Sequence, residues 1–153
     1  MLIFLIICIL SISSIFILVS NLLKIKQDLV QSISLISTIC CFFISLFFWI
    51  LFDRSTSQNQ FSLSSDLLLN SFRFFHQLSI DGISLFFVLL TTFIIPLCLL
   101  SSYKKNLSRI NNYCLSFLFL ELFLLLSFLA NDLIVFFFFF ESTLIPMFFL
   151  IGI

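Results

Sequence analysis

The chain has 153 residues, of which 62% are hydrophobic and 9% charged, and its seven basic and seven acidic side chains cancel. A mean hydropathy of +1.32 with so little charge excludes a soluble domain, which carries about 25% charged residues. The absence of a basic patch excludes a nucleic-acid binder. What remains is an all-α membrane protein, assembled from apolar runs of about 20 residues, the length that crosses roughly 30 Å of hydrocarbon.

Five such runs follow one another: Leu2 to Leu23, Leu29 to Phe52, Ile83 to Tyr103, Tyr113 to Asn131 and Leu133 to Ile153. The first is read as a spanning helix rather than a secretory signal. It lacks a basic start, is longer than the usual apolar core of about 7 to 15 residues, and ends Asn21-Leu22-Leu23-Lys24 without small residues for cleavage. The connection after it holds Lys24 and Lys26, and the third connection holds Lys104, Lys105 and Arg109. The second holds only Arg54 and Arg73 and the fourth has no basic residue. An excess of Lys and Arg marks the cytoplasmic or matrix side, which predicts an N-terminus outside, in the intermembrane space if the membrane is mitochondrial, and a C-terminus inside.

The chain then divides into residues 1–112, three leading helices with an outer loop at 53–82, and residues 113–153, the last two helices. The loop opens polar at Ser55-Thr56-Ser57-Gln58-Asn59-Gln60 and turns apolar at Leu67-Leu68-Leu69 and Phe72 to Phe75. Alternation at Phe72-Arg73-Phe74 and at Leu78-Ser79-Ile80, closed by Asp81-Gly82, is a weak strand signal. A short hairpin and a helix lying in the outer interface both fit this pattern. His76 stands alone there and reads as a surface imidazole. Cys8, Cys40, Cys41, Cys98 and Cys114 fall in apolar runs without Cys-x-x-Cys spacing and read as packing residues, so no metal site is expected. The 25 phenylalanines are read as the bias of an AT-rich genome.

The only glutamates, Glu121 and Glu141, stand inside apolar runs. Counted from Tyr113, Glu121 lies about 12 Å deep, and counted from Asp132, Glu141 lies about 13 Å from the other surface, so both fall near the midplane. The connection between these helices, Ala130-Asn131-Asp132, makes them antiparallel neighbours. An ionisable group in hydrocarbon is by default functional. Protonation, a buried cation or a hydrated pocket would each accommodate it, and moving a cation toward or away from it loads or releases a proton. The competing reading is a permanently protonated Glu that hydrogen-bonds a neighbouring helix, with Ser142 and Thr143 as similar polar links. Pro146, five residues past Glu141, and Pro96 each remove a helix hydrogen bond and predict kinks.

The run Phe139-Phe140-Glu141-Ser142-Thr143-Leu144-Ile145-Pro146-Met147-Phe148 resembles the fifth-helix signature of the NADH dehydrogenase subunit 4 family, antiporter-like membrane subunits of respiratory complex I. The segment Leu78 to Phe93 resembles the start of that family's third helix, and the spacing of Glu121, Asp132 and Glu141 also fits. The resemblance implies that Glu141 pairs with a lysine of the seventh helix and gates proton transfer, that Glu121 is a fourth-helix acid of that pathway, and that the fourth and fifth helices open the first proton-channel repeat. It implies no cofactor on this chain, with FMN, iron-sulphur clusters and ubiquinone carried by other parts of the complex, and a place in the mitochondrial inner membrane.

Family members ordinarily have about fourteen helices, and no lysine occurs in any apolar run here. The expectation is therefore a split subunit, completed by a second chain that carries the remaining helices, among other membrane-arm subunits and lipid. Two further readings stay open: a subunit of a multisubunit cation/proton antiporter, or an inactive structural fragment.

Overall fold

In the computed structural model, residues 2–22, 27–53, 60, 78–103 and 110–152 are described. They form five α-helices: α1 (Leu2–Leu22), α2 (Gln27–Leu51), α3 (Gly82–Ser101), α4 (Ile110–Leu129) and α5 (Leu133–Ile151). All five are long and apolar enough to cross a membrane, and no named strand occurs among the described residues. A helix satisfies its own backbone polar groups, which is what hydrocarbon demands of a spanning segment. The all-α membrane class holds, and the boundaries depart from expectation by up to three residues. The largest shift is at α4, which starts at Ile110 rather than Tyr113, because Ile110 is buried and its packing carries Asn111 and Asn112 into the first turn.

Local chemistry sets the helix starts on one face. At α3 the Asp81 amide donates to Ser84 Oγ at 2.7 Å, and the Ser84 hydroxyl donates back to the Asp81 carbonyl at 2.9 Å. At α5 the Asp132 side chain accepts from the Ile134 amide at 3.3 Å, an N-cap that occupies one of the orphan donors of the first turn. Pro96 and Pro146 both lie inside helices that run on past them.

Cross-helix contacts fix the two ends of the bundle. Ser32 and Tyr103 hydroxyls meet at 3.3 Å, setting the start of α2 beside the end of α3. A groove of about 570 Å³ is lined by Leu18, Asn112, Phe149 and Gly152 among others, so the end of α1, the start of α4 and the end of α5 share that face. The connections 23–26 and 104–109 leave from these helix ends and contain five of the seven Lys and Arg residues. We call this the basic face.

At the opposite face the approach to α3 is pinned from both sides. Gln60 and Ile80 form an antiparallel bridge, and Leu78 bridges Ala130 in the α4–α5 turn. The Ser79 amide donates to the Leu129 carbonyl at 3.0 Å, and its hydroxyl donates to Asn131 Oδ1 at 2.6 Å. The strand signal at Leu78-Ser79-Ile80 thus corresponds to extended backbone in two isolated bridges. The rest of the predicted hairpin or interfacial helix, with His76, lies outside the described residues.

The helix α4 is the hub, packing against all four others. Its neighbours are knitted by aromatic pairs: Trp49 to Phe86 at 4.8 Å and Phe42 to Phe93 at 5.6 Å between α2 and α3, and Phe87 to Phe128 at 5.1 Å between α3 and α4. By contrast α5 buries only Val135, Thr143 and Pro146.

Candidate functional site

The two glutamates occupy opposite environments. Glu121 continues the inward stripe of α4, with Cys114, Leu118 and Leu125 at intervals of three and four residues. Its side chain is 0% exposed. Neither Oε1 nor Oε2 has a hydrogen-bond partner among the described residues. Such a carboxyl is far from a stable packing element, since leaving a buried polar group unsatisfied costs roughly 1–3 kcal/mol.

The helix α2 supplies the surface that Glu121 meets. Gln31, Ser34, Thr38, Cys41 and Ser45 are buried at alternating spacings of three and four, a single polar stripe along α2. Ser34 neighbours the Cys114 thiol, and Cys41 lies within electrostatic reach of Glu121. Both pairs are seven residues apart on their own helices, so α2 and α4 run parallel and in step here. The hydroxyl hydrogens are already used within the helix: Ser34 donates to the Gln31 carbonyl at 2.8 Å and Thr38 to that of Leu35 at 3.0 Å. Their oxygen lone pairs remain available as acceptors. Further along, Ser45 and Thr92 hydroxyls meet at 2.9 Å between α2 and α3.

Glu141 points the other way. The inward stripe of α5 runs through Val135, Phe139, Thr143 and Pro146, and two residues of helix turn Glu141 about 160° from it. It is exposed, amid the exposed Phe137, Phe138, Phe140, Leu144 and Ile145. The structure therefore does not gather Glu121 and Glu141 into one site. Pro146 lies buried on the inner face of α5, and Ser142 and Thr143 hydroxyls bond back to Phe138 and Phe140 carbonyls at 2.8 and 2.7 Å. These two are links within α5 rather than between helices.

Every Lys, Arg and His of the chain lies outside the described residues, so no cation is described near either glutamate. Among the described residues the five cysteines are free thiols, and no group of three His, Cys, Asp or Glu could hold a metal ion. The polar stripe of α2 was missed in the sequence reading, although its spacing of 31, 34, 38, 41 and 45 was a detectable signal.

No protein-family profile matches the chain. Its sequence is 40% identical over 142 residues to the NADH-ubiquinone oxidoreductase chain 4 of Prototheca wickerhamii, covering 84% of this chain and 27% of that protein. It is 41% identical over 126 residues to the protein of the same name from Arabidopsis thaliana, with 82% of this chain and 25% of that one covered. NADH-quinone oxidoreductase subunit M of Rhodobacter capsulatus is 37% identical over 121 residues, 79% of this chain and 23% of the relative. The chain spans about a quarter of the length of the curated relatives it matches. Over that quarter, it belongs to the family of NADH-ubiquinone oxidoreductase chain 4 and its subunit M counterparts.

Proposed function

We propose that this chain forms part of the proton-translocating membrane arm of an NADH:ubiquinone oxidoreductase in the mitochondrial inner membrane. Its flavin, iron-sulphur centres and quinone would lie on other subunits. The observation that carries this reading is the 32–41% identity to proteins named NADH-ubiquinone oxidoreductase chain 4, joined to two carboxyls in the middle of apolar helices. Glu141 projects from the least buried helix, where a lysine supplied by another polypeptide would reach it. A cation brought close favours the carboxylate, and its withdrawal in a low-dielectric setting favours the acid, so the pair passes a proton as the distance changes. Glu121, enclosed and without a hydrogen-bond partner among the described residues, is the acid within this chain that such an exchange would draw on.

The test is Glu141→Gln in the assembled complex, with NADH oxidation and proton release measured together in sealed vesicles. Gln keeps shape and hydrogen bonding but carries no exchangeable carboxyl proton. Assembly should be retained while protons moved per NADH fall severalfold. Unchanged proton transfer would remove Glu141 from the mechanism. Purification of a particle that contains this chain but neither flavin nor iron-sulphur subunits would instead favour a cation/proton antiporter.

A further inference from the structure

We infer that Glu121 is reached by water and protons from the basic face alone, along the α2 stripe Gln31, Ser34, Thr38 and Cys41, while the opposite face is sealed. This rests on the reading of Glu121 as a working acid and adds to it a route and a direction.

The first observation is Glu121 itself. A fully enclosed carboxyl with two unpartnered oxygens calls for an explanation, and the ordinary one is ordered water. Such a water needs two to four polar partners, and the neighbouring stripe offers them as hydroxyl and thiol lone pairs on α2.

The second observation is an asymmetry in the core. Between Glu121 and the basic face, α2 contributes Gln31, Ser34, Ser37 and Thr38 to the interior, and α1 adds Ser14 and Ser20. Between Glu121 and the opposite face the interior is Leu10, Phe48, Val88, Leu125 and Leu129, capped by Leu78 and Ile80 at 1% and 0% exposure. The polar groups in that half are fewer and mostly paired: Ser45 and Thr92 bond each other, Ser79 bonds Asn131, and Ser127 donates within α4 to the Leu124 carbonyl. A water file has a run of stations on the basic side and, among the described residues, only the isolated Ser127 on the other. Of the described titratable groups, Cys41 on α2 faces Glu121, and neither α1 nor α3 contributes an acid or a base there.

The native thiols report on the route. In sealed vesicles of each orientation carrying the assembled complex, silver ion is the probe, since it is near water in size and reacts with thiols. Cys40, which is exposed on α2, is replaced by alanine so that Cys41 is read alone by peptide mass spectrometry after quenching. Applied at the basic face, silver should block Cys114 first and Cys41 second, and Cys41 at least about tenfold faster than from the opposite face, a difference of about 1.4 kcal/mol in barrier. Thr38→Val should slow the blocking of Cys41 and leave that of Cys114 unchanged. Ile80→Ser should open access from the opposite face. Equal rates from both faces, faster reaction from the opposite face, or no reaction of Cys41 would overturn the route. Failure of the parent reading looks different: Cys41 would react from the basic face, yet Glu121→Gln would leave proton transfer intact.

Discussion

Glu121 is buried without a protein hydrogen bond among the described residues, and that imbalance makes a measurable prediction. Replacing a buried polar group by an apolar one of similar volume is neutral or stabilising when nothing in the protein depended on it. Glu121→Met should leave the purified assembly at least as heat-resistant as the parent, by up to about 3 kcal/mol, in a thermal melt of the detergent-solubilised complex. A large loss of stability would mean that Glu121 holds the bundle together. Ser45 and Thr92 give the opposite expectation, because both are fully buried and bonded at 2.9 Å. Thr92→Val should cost roughly 0.6 kcal/mol, the average for hydrogen bonds between membrane helices. The placement of Glu121 and Glu141 in the middle of apolar helices was legible from residue counting. Their direction was not, because a helix such as Leu133–Ile151, apolar on every face, gives hydropathy no azimuth to report.

Helix positions were legible because hydrocarbon thickness and the obligatory satisfaction of backbone groups leave few alternatives. Where residues read as loop, as at Asn111 and Asn112, burial of Ile110 overrode the weak local preference. Inter-element links were invisible, since nothing local at Ser79 announces Leu129 or Asn131 as its partner. Removing the amide acceptor tests that link: Asn131→Ala should speed hydrogen-deuterium exchange across residues 78–82, with the remainder of α3 unaffected. Unchanged protection would show that the backbone bond from Ser79 to Leu129 suffices.

At the scale of the molecule, four helices share an interior centred on α4, whereas α5 lies against it with most of its surface uncovered. Exposed Phe and Leu are ordinary against lipid, but a carboxyl among them in the middle of an apolar helix is not. A photo-reactive residue in place of Leu144, which is 59% exposed and lies one turn from Glu141, should therefore capture protein in native membranes. The same probe at Ile36 on α2, 61% exposed, provides the comparison. Exclusive lipid adducts at position 144 would contradict a protein cover for this face.

The clasp between Ser79 and the α4–α5 turn consists largely of main-chain atoms, which makes it indifferent to most changes of side chain. Small uncharged side chains can replace the buried Ser79 without cutting the backbone bond to Leu129, and proline is the residue that severs it. The turn from which α5 departs is thus held by main-chain bonds to the approach of α3. A tilt of α5 that carries the turn with it would pull on Leu78 and Ile80, so the lever and the stopper at the far end of the bundle would move as one piece.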